Sequence, residues 1–257
     1  MERPFPVLLE SDPIVESIFE LRFSTEDGVP ASDILPGILY PKLKTDFPKL
    51  VHLDTHRIPR EVRSQDVNLK FAPLIRLDGE QFSIAIGDNV FSVSCRLPYV
   101  GWDKFKEEIL AIVSMLNESG VINNIERFSL KYINMLQKYK GASGISMLDA
   151  DVRLGPFNLS ENGCSLRTEI NKDGVINIVQ IVSHAKAEFP GVERKMEGLL
   201  LDIDSVKQFA PPVGMQDFWE NEFLDNLDKV REHEKNIFFS IVSKETVDSY
   251  SPVYEEQ

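Results

Sequence analysis

The chain lacks the signatures of the common enzyme families. There is no GxxxxGK[ST], no GxGxxG following a strand, no HExxH and no GxSxG. Those absences exclude the recognised phosphate-loop, dinucleotide, zincin and α/β-hydrolase sites. Histidine is scarce, with four in 257 residues, so imidazole-based acid–base chemistry has little material, although carboxylates can serve. The two cysteines, Cys95 and Cys164, form no CxxC and no disulfide framework. Cys95 ends the run FSVSC on the face of Phe91 and Val93, which predicts a small buried thiol. No window approaches 18 uninterrupted apolar residues, so no membrane-spanning helix is expected. The opening MERPFPVLLESDP has no apolar core before a cleavage site, and the expectation is a cytoplasmic protein.

What is present is an ordinary globular composition. Hydrophobic residues make up 42% and charged residues 27%, enough for a sizeable core. Acid dominates, 41 residues against 28 basic, for a net charge of -13. It is unevenly placed: residues 201–257 carry -8 and the first 200 carry -5. Such a balance disfavours non-specific nucleic-acid binding and suits a basic protein partner, though solubility alone also explains it.

The chain is organised around Ile125–Leu136, IERFSLKYINML. Phe128, Leu130, Tyr132, Asn134 and Leu136 alternate with Arg127, Ser129, Lys131 and Ile133, the period of a strand. Before it, IVESIFELRF (14–23) reads as a strand, and Leu35, Leu39, Leu43 and Phe47 predict a helix over 32–47 that Pro41 should kink or break. Residues 48–66 read as a loop or edge strand. A meander follows: 67–77, a turn at Asp78-Gly79, 81–86, a turn at 87–89, and 90–97. Trp102–Ser119 is an amphipathic helix ended by Gly120. In the second half, 146–150 reads as a short helix or turn and 151–159 as a strand. Next come a hairpin of 165–170 and 175–183, a loop at 184–198, a strand at 199–206, a helix over 216–243 and a last helix begun by Ser243.

Both halves, 1–120 and 121–257, thus run strand, helix or link, antiparallel strands, helix, which suggests an internal duplication of element order. The expected class is α+β, an antiparallel sheet or two with the long helices on one face and the other face partly open.

Five stretches in order carry a resemblance: PIVESIFELRF, YVGWDKF (99–105), FSLKYIN (128–134), LLLDIDS (199–205) and NIFFSIVSKE (236–245). Together they resemble a sporadically distributed, functionally uncharacterised bacterial family of similar length. Members of that family often carry a histidine in the final long helix, where this chain has Arg231 and His233. The resemblance transfers no catalytic residue.

Three sets of side chains invite chemistry. His52, Asp54 and His56, if extended, fall on one side and suit Zn²⁺ or Fe²⁺; the plainer reading is a polar loop. Asp202 and Asp204, with Asp217, Glu220 and Glu222 possible neighbours, can bind Mg²⁺ or a protein partner; the plainer reading is a solvated sheet face and an acidic helix start. Arg127, Lys131 and Arg167 can bind an anion, or pair with Glu169 and the aspartates across the sheet. Tyr132 and Asn134 share the core face, and Tyr99 and Trp102 should anchor the first long helix.

The leading functional expectation is a non-enzymatic binding or regulatory protein, with an antitoxin-, immunity- or defence-associated role implied by the resemblance alone. A metal-dependent hydrolase or nucleotide-binding enzyme is the alternative. A homodimer paired through the meander edge is a third form.

Overall fold

A computed structural model describes residues 5–26, 29–159, 163–188 and 195–254. In chain order the elements are β1 (Leu8–Leu9), β2 (Ile14–Thr25), α1 (Ala31–Leu43), β3 (Lys49–His52), α2 (Arg60–Gln65), β4 (Pro73–Asp78), β5 (Phe82–Gly87) and β6 (Val90–Arg96). Then come α3 (Trp102–Ser119), β7 (Ile122–Leu136), β8 (Arg153–Leu154), β9 (Phe157–Asn158), β10 (Ser165–Lys172), β11 (Val175–Ala187) and β12 (Met196–Gly214). α4 (Met215–Asp217), a π-helical turn (Phe218–Glu222), α5 (Phe223–Ile241), α6 (Lys244–Asp248) and β13 (Pro252–Val253) complete the chain. The class is α+β with a large antiparallel sheet, strand order β10-β11-β12-β7-β2-β6-β5-β4-β3.

The chain divides into two compact units. One comprises 1–16, 131–205 and 231–257; the other comprises 17–130 and 206–230. The boundaries fall inside β2, β7, β12 and α5, whereas the halves drawn from element order part at residue 120, between α3 and β7.

In the 17–130/206–230 unit, α3 forms because its apolar residues recur at helical spacing. Phe105, Ile109, Ile112, Val113 and Leu116 are all buried, and Gly120 closes the helix at φ 65°, a left-handed conformation that favours glycine. Phe105 packs on Phe82 of β5 and on Trp102. α1 buries Leu35, Leu39 and Leu43. Pro41 does not break this helix: the backbone remains helical to Leu43, and the Lys44 amide still bonds the Tyr40 carbonyl. α2 was not expected: it has no apolar stripe, and its buried residue is Arg63. A tertiary ion pair holds it, Arg63 donating to Asp88 from Nη2 at 2.8 Å and from Nε at 3.1 Å. β4 starts six residues later than its apolar run suggests, because Asp66 takes the amide of Asn68 on its side chain and those of Leu69 and Lys70 on its carbonyl, winding a turn. Phe128 stands among Phe19, Phe209, Phe218 and Phe223, with ring centroids 5.8–6.3 Å away.

In the other unit, Leu136, Leu199, Leu201, Ile203, Val179 and Ile181 form a core with Phe238, Phe239 and Val242. Two of its buried polar side chains find partners along the strands. Asn134 donates to the Leu201 carbonyl at 3.2 Å, and Ser205 to Asn177 Oδ1 at 2.7 Å. The β10–β11 hairpin turns on Asp173-Gly174, φ 50° and 77°, a two-residue loop whose left-handed pair matches strand twist. Ser243 caps α6 by accepting the Thr246 amide. β11 and β12 run further than their apolar patterns suggest, so part of the expected 184–198 loop is strand, and its stretch 189–194 lies outside the described residues.

Phe128 is fully buried with aromatic neighbours on several sides, so Phe128→Ala should cost about 3–5 kcal/mol. Urea denaturation reads this as a lower midpoint with the slope retained; a loss below about 1 kcal/mol would show that the cluster collapses around the gap.

Candidate functional site

His52 ends the edge strand β3, but Asp54 begins a 3-10 turn, Asp54–Arg57. The extended geometry that would align His52, Asp54 and His56 therefore stops after the first of them. The two imidazoles do meet, edge to face with centroids 4.5 Å apart. The Asp54 carboxylate is 98% exposed and pairs with Arg57 at 3.7 Å. Among the described residues, no three His, Cys, Asp or Glu side chains are arranged to hold a metal ion.

The acidic candidates fall in different units. Asp202 and Asp204 stand two apart on β12, opposite to the core positions Leu201 and Ile203. Asp202 takes Lys131 Nζ at 3.1 Å. Burial pushes its carboxyl up, and the Lys131 ammonium only partly offsets this. Asp217 and Glu220 are exposed, and each accepts from a residue one helical turn away, Asn221 at 2.6 Å and Gln216 at 2.9 Å. Both bonds lie within the helix start itself.

Arg127 and Lys131 both make cross-strand ion pairs, with Glu20 at 3.0 Å and Asp202 at 3.1 Å respectively. Arg167 pairs with Glu169 along its own strand at 2.9 Å.

The fullest arrangement of charge lies on the helix-free side of the sheet in the 17–130/206–230 unit. Strands β2, β4, β5 and β6 put Phe19, Leu21, Leu77, Ile84, Phe91 and Val93 in the core. Period two then turns Glu20 and Arg22, Arg76 and Asp78, Ser83 and Ala85, and Ser92, Ser94 and Arg96 the other way. Register places Asp78 beside Ser83 and Ser83 beside Ser94, so a low floor of serine and alanine separates the charged strands. Glu20 Oε1 accepts from Arg22 Nε at 2.7 Å and from Arg127 Nη2 at 3.0 Å. Asp78 accepts from Arg76 Nε at 2.7 Å, from Arg76 Nη2 at 3.1 Å, and from Arg96 Nη2. Burial alone would raise the Asp78 carboxyl, but the hydrogen bonds from Arg76 and Arg96 win and hold it below the ordinary value. Sequence reading singled out Arg127 and missed the rest. The signal was there, as Glu-x-Arg in β2 and Arg-x-Asp in β4.

Two clefts adjoin that unit's other surfaces. One of about 460 Å³ is lined by Asp46, Glu80, Glu108 and Phe82. Burial, then the nearby Asp46 charge, pushes the Glu108 carboxyl up. A smaller one, about 140 Å³, holds the Arg63–Asp88 pair beside Arg60 and Lys70.

In the other unit, Tyr132 and Asn134 face inward. The Arg231 guanidinium lies 4.5 Å from the centre of the Tyr132 ring and donates to Glu234, which is 3% exposed. Burial pushes the Glu234 carboxyl up to about 7, the Arg231 charge opposing it. His233 Nε2 reaches Asp173 Oδ2 at 4.0 Å.

Since Glu234 binds its proton more tightly folded than unfolded, the native state retains that proton between about pH 4.5 and 7 while the unfolded chain releases it. Stability should therefore fall as pH rises through this window and level off above it. Glu234→Gln should flatten the fall by roughly 1–3 kcal/mol. Urea titrations at pH 5 and pH 7.5 compare the two proteins; an identical pH dependence would remove Glu234 as the cause.

No family model matches the chain and no curated protein matches it, so the reading of its function rests on its own residues.

Proposed function

We infer that this is a non-enzymatic binding protein that holds another protein against the helix-free face of its sheet. One observation carries the reading: that face presents paired, half-buried ions where the opposite face presents core. In the 17–130/206–230 unit the exposed side chains are Glu20, Arg22, Arg76, Arg96 and Arg127, each 20–38% exposed. Ion pairs held in fixed geometry by strands give a surface specificity and steer association, without supplying large affinity alone. Nothing about them supplies a nucleophile poised against a base, so binding is the chemistry this arrangement favours. An accessory role in defence or immunity accords with the family resemblance of the five sequence stretches.

Affinity purification of the tagged chain from its native host should recover one stoichiometric protein partner. Raising salt from about 0.1 M to 0.5 M should release it, because partly exposed charges are screened over that range. Recovery of the chain alone at every salt concentration would overturn the reading.

A further inference from the structure

We propose that the four-arginine face of the 17–130/206–230 unit is the docking site for an acidic segment of a protein partner. This deepens the binding reading and rests on it.

The argument begins with charge. Arg22, Arg76, Arg96 and Arg127 share two carboxylates, Glu20 and Asp78, so the patch is net positive in a chain whose net charge is -13. Each carboxylate sits between two guanidiniums, so each triad carries one uncompensated positive charge. The four guanidiniums hold roughly twenty N–H donors between them. Five of those donors reach the two carboxylates. A guanidinium edge is the planar geometry that pairs two-pronged with a carboxylate.

Shape narrows the occupant. The outward side chains of β5 and β6 beside the Arg96–Asp78 contact are small, Ser83, Ala85, Ser92 and Ser94, so little stands between a ligand and the sheet there. β2 and β4 are three strand intervals apart, so the strands that carry Glu20 and Asp78 stand about 15 Å from one another. An extended peptide rising about 3.3 Å per residue covers that distance in four to five residues. The preferred segment therefore has acidic residues at about that separation. A nucleic acid fits less well. Single strands are held by stacked aromatic platforms, and the aromatic ring here, Phe71, is already covered by Arg22 at 4.3 Å and by Lys70 at 4.9 Å. A longer phosphate backbone would also run onto the acidic remainder of the protein.

The test is fluorescence anisotropy on the full chain in about 50 mM salt, with fluorescein-labelled decaglutamate as the probe and fluorescein-labelled decathymidine as the competing class. Arg22→Gln and Arg96→Gln each leave the shared carboxylate one guanidinium, Arg127 or Arg76, so the fold is retained; a thermal melt checks this. Each should weaken decaglutamate binding about fivefold or more, and the pair together about twentyfold or more. Arg22→Lys with Arg96→Lys keeps the charge but loses the fork, and should fall between wild type and the glutamine pair. Lys42→Gln, on α1, should change nothing. Tighter binding of decathymidine, decaglutamate binding unmoved by the glutamine pair, or no decaglutamate binding up to about 1 mM would each overturn the proposal. If the native partner is still captured by the glutamine pair, the arginine assignment fails while the binding reading stands. If wild type captures no partner, the binding reading fails and the peptide titration still decides the arginines.

Discussion

A strand has two faces, and β2 spends them on opposite things. Phe19, Leu21 and Phe23 fill one side and are fully buried, while Glu20 and Arg22 fill the other. This alternation is the constraint on which the rest depends. It fixes register, since a slip by one residue would drive Glu20 and Arg22 into the phenylalanines and expose Phe19. It also explains why a carboxylate lies within reach of two guanidiniums at once, for neighbouring strands bring their outward residues side by side about 5 Å apart.

The two sides contribute unequally to stability and to function. The phenylalanine cluster around Phe128 removes large apolar area from water and supplies most of the free energy on this part of the sheet. The ion pairs opposite are partly solvated, and pairs of that kind add about 0–1 kcal/mol each. Losing one arginine therefore disturbs the fold little and changes chiefly the charge of the surface. The Arg231–Glu234 pair is of another kind. It is buried beneath Tyr132 in the other unit, where desolvation of the carboxylate outweighs the attraction of a single guanidinium.

Much of the fold was readable from pattern because pattern is what places it. The stripe from Phe105 to Leu116, the alternation from Phe128 to Leu136 and the Asp173-Gly174 turn are local statements about period and backbone conformation, and all three appear in the structure. The elements that escaped are set by partners distant in sequence. α2 depends on Arg63 finding Asp88, 25 residues on. β4 is shortened by the Asp66 turn, and His52, Asp54 and His56 do not share one extended side because a 3-10 turn starts at Asp54. The charged face escaped for another reason. Each outward pair looks like ordinary strand polarity, and only the sheet order, which brings β4, β6, β2 and β7 into one array, gathers them.

That gathering alters what the composition means. A net charge of -13 argues against anionic ligands when spread over a surface. Screening limits the reach of each charge to about 8 Å at physiological salt, so a ligand meets local charge before it meets the total. Glu20 has Arg22 and Arg127 against it, and Asp78 has Arg76 and Arg96, so each carboxylate meets two cations at contact distance. Composition described the average, and strand register, by sorting the charges onto one face, made the exception.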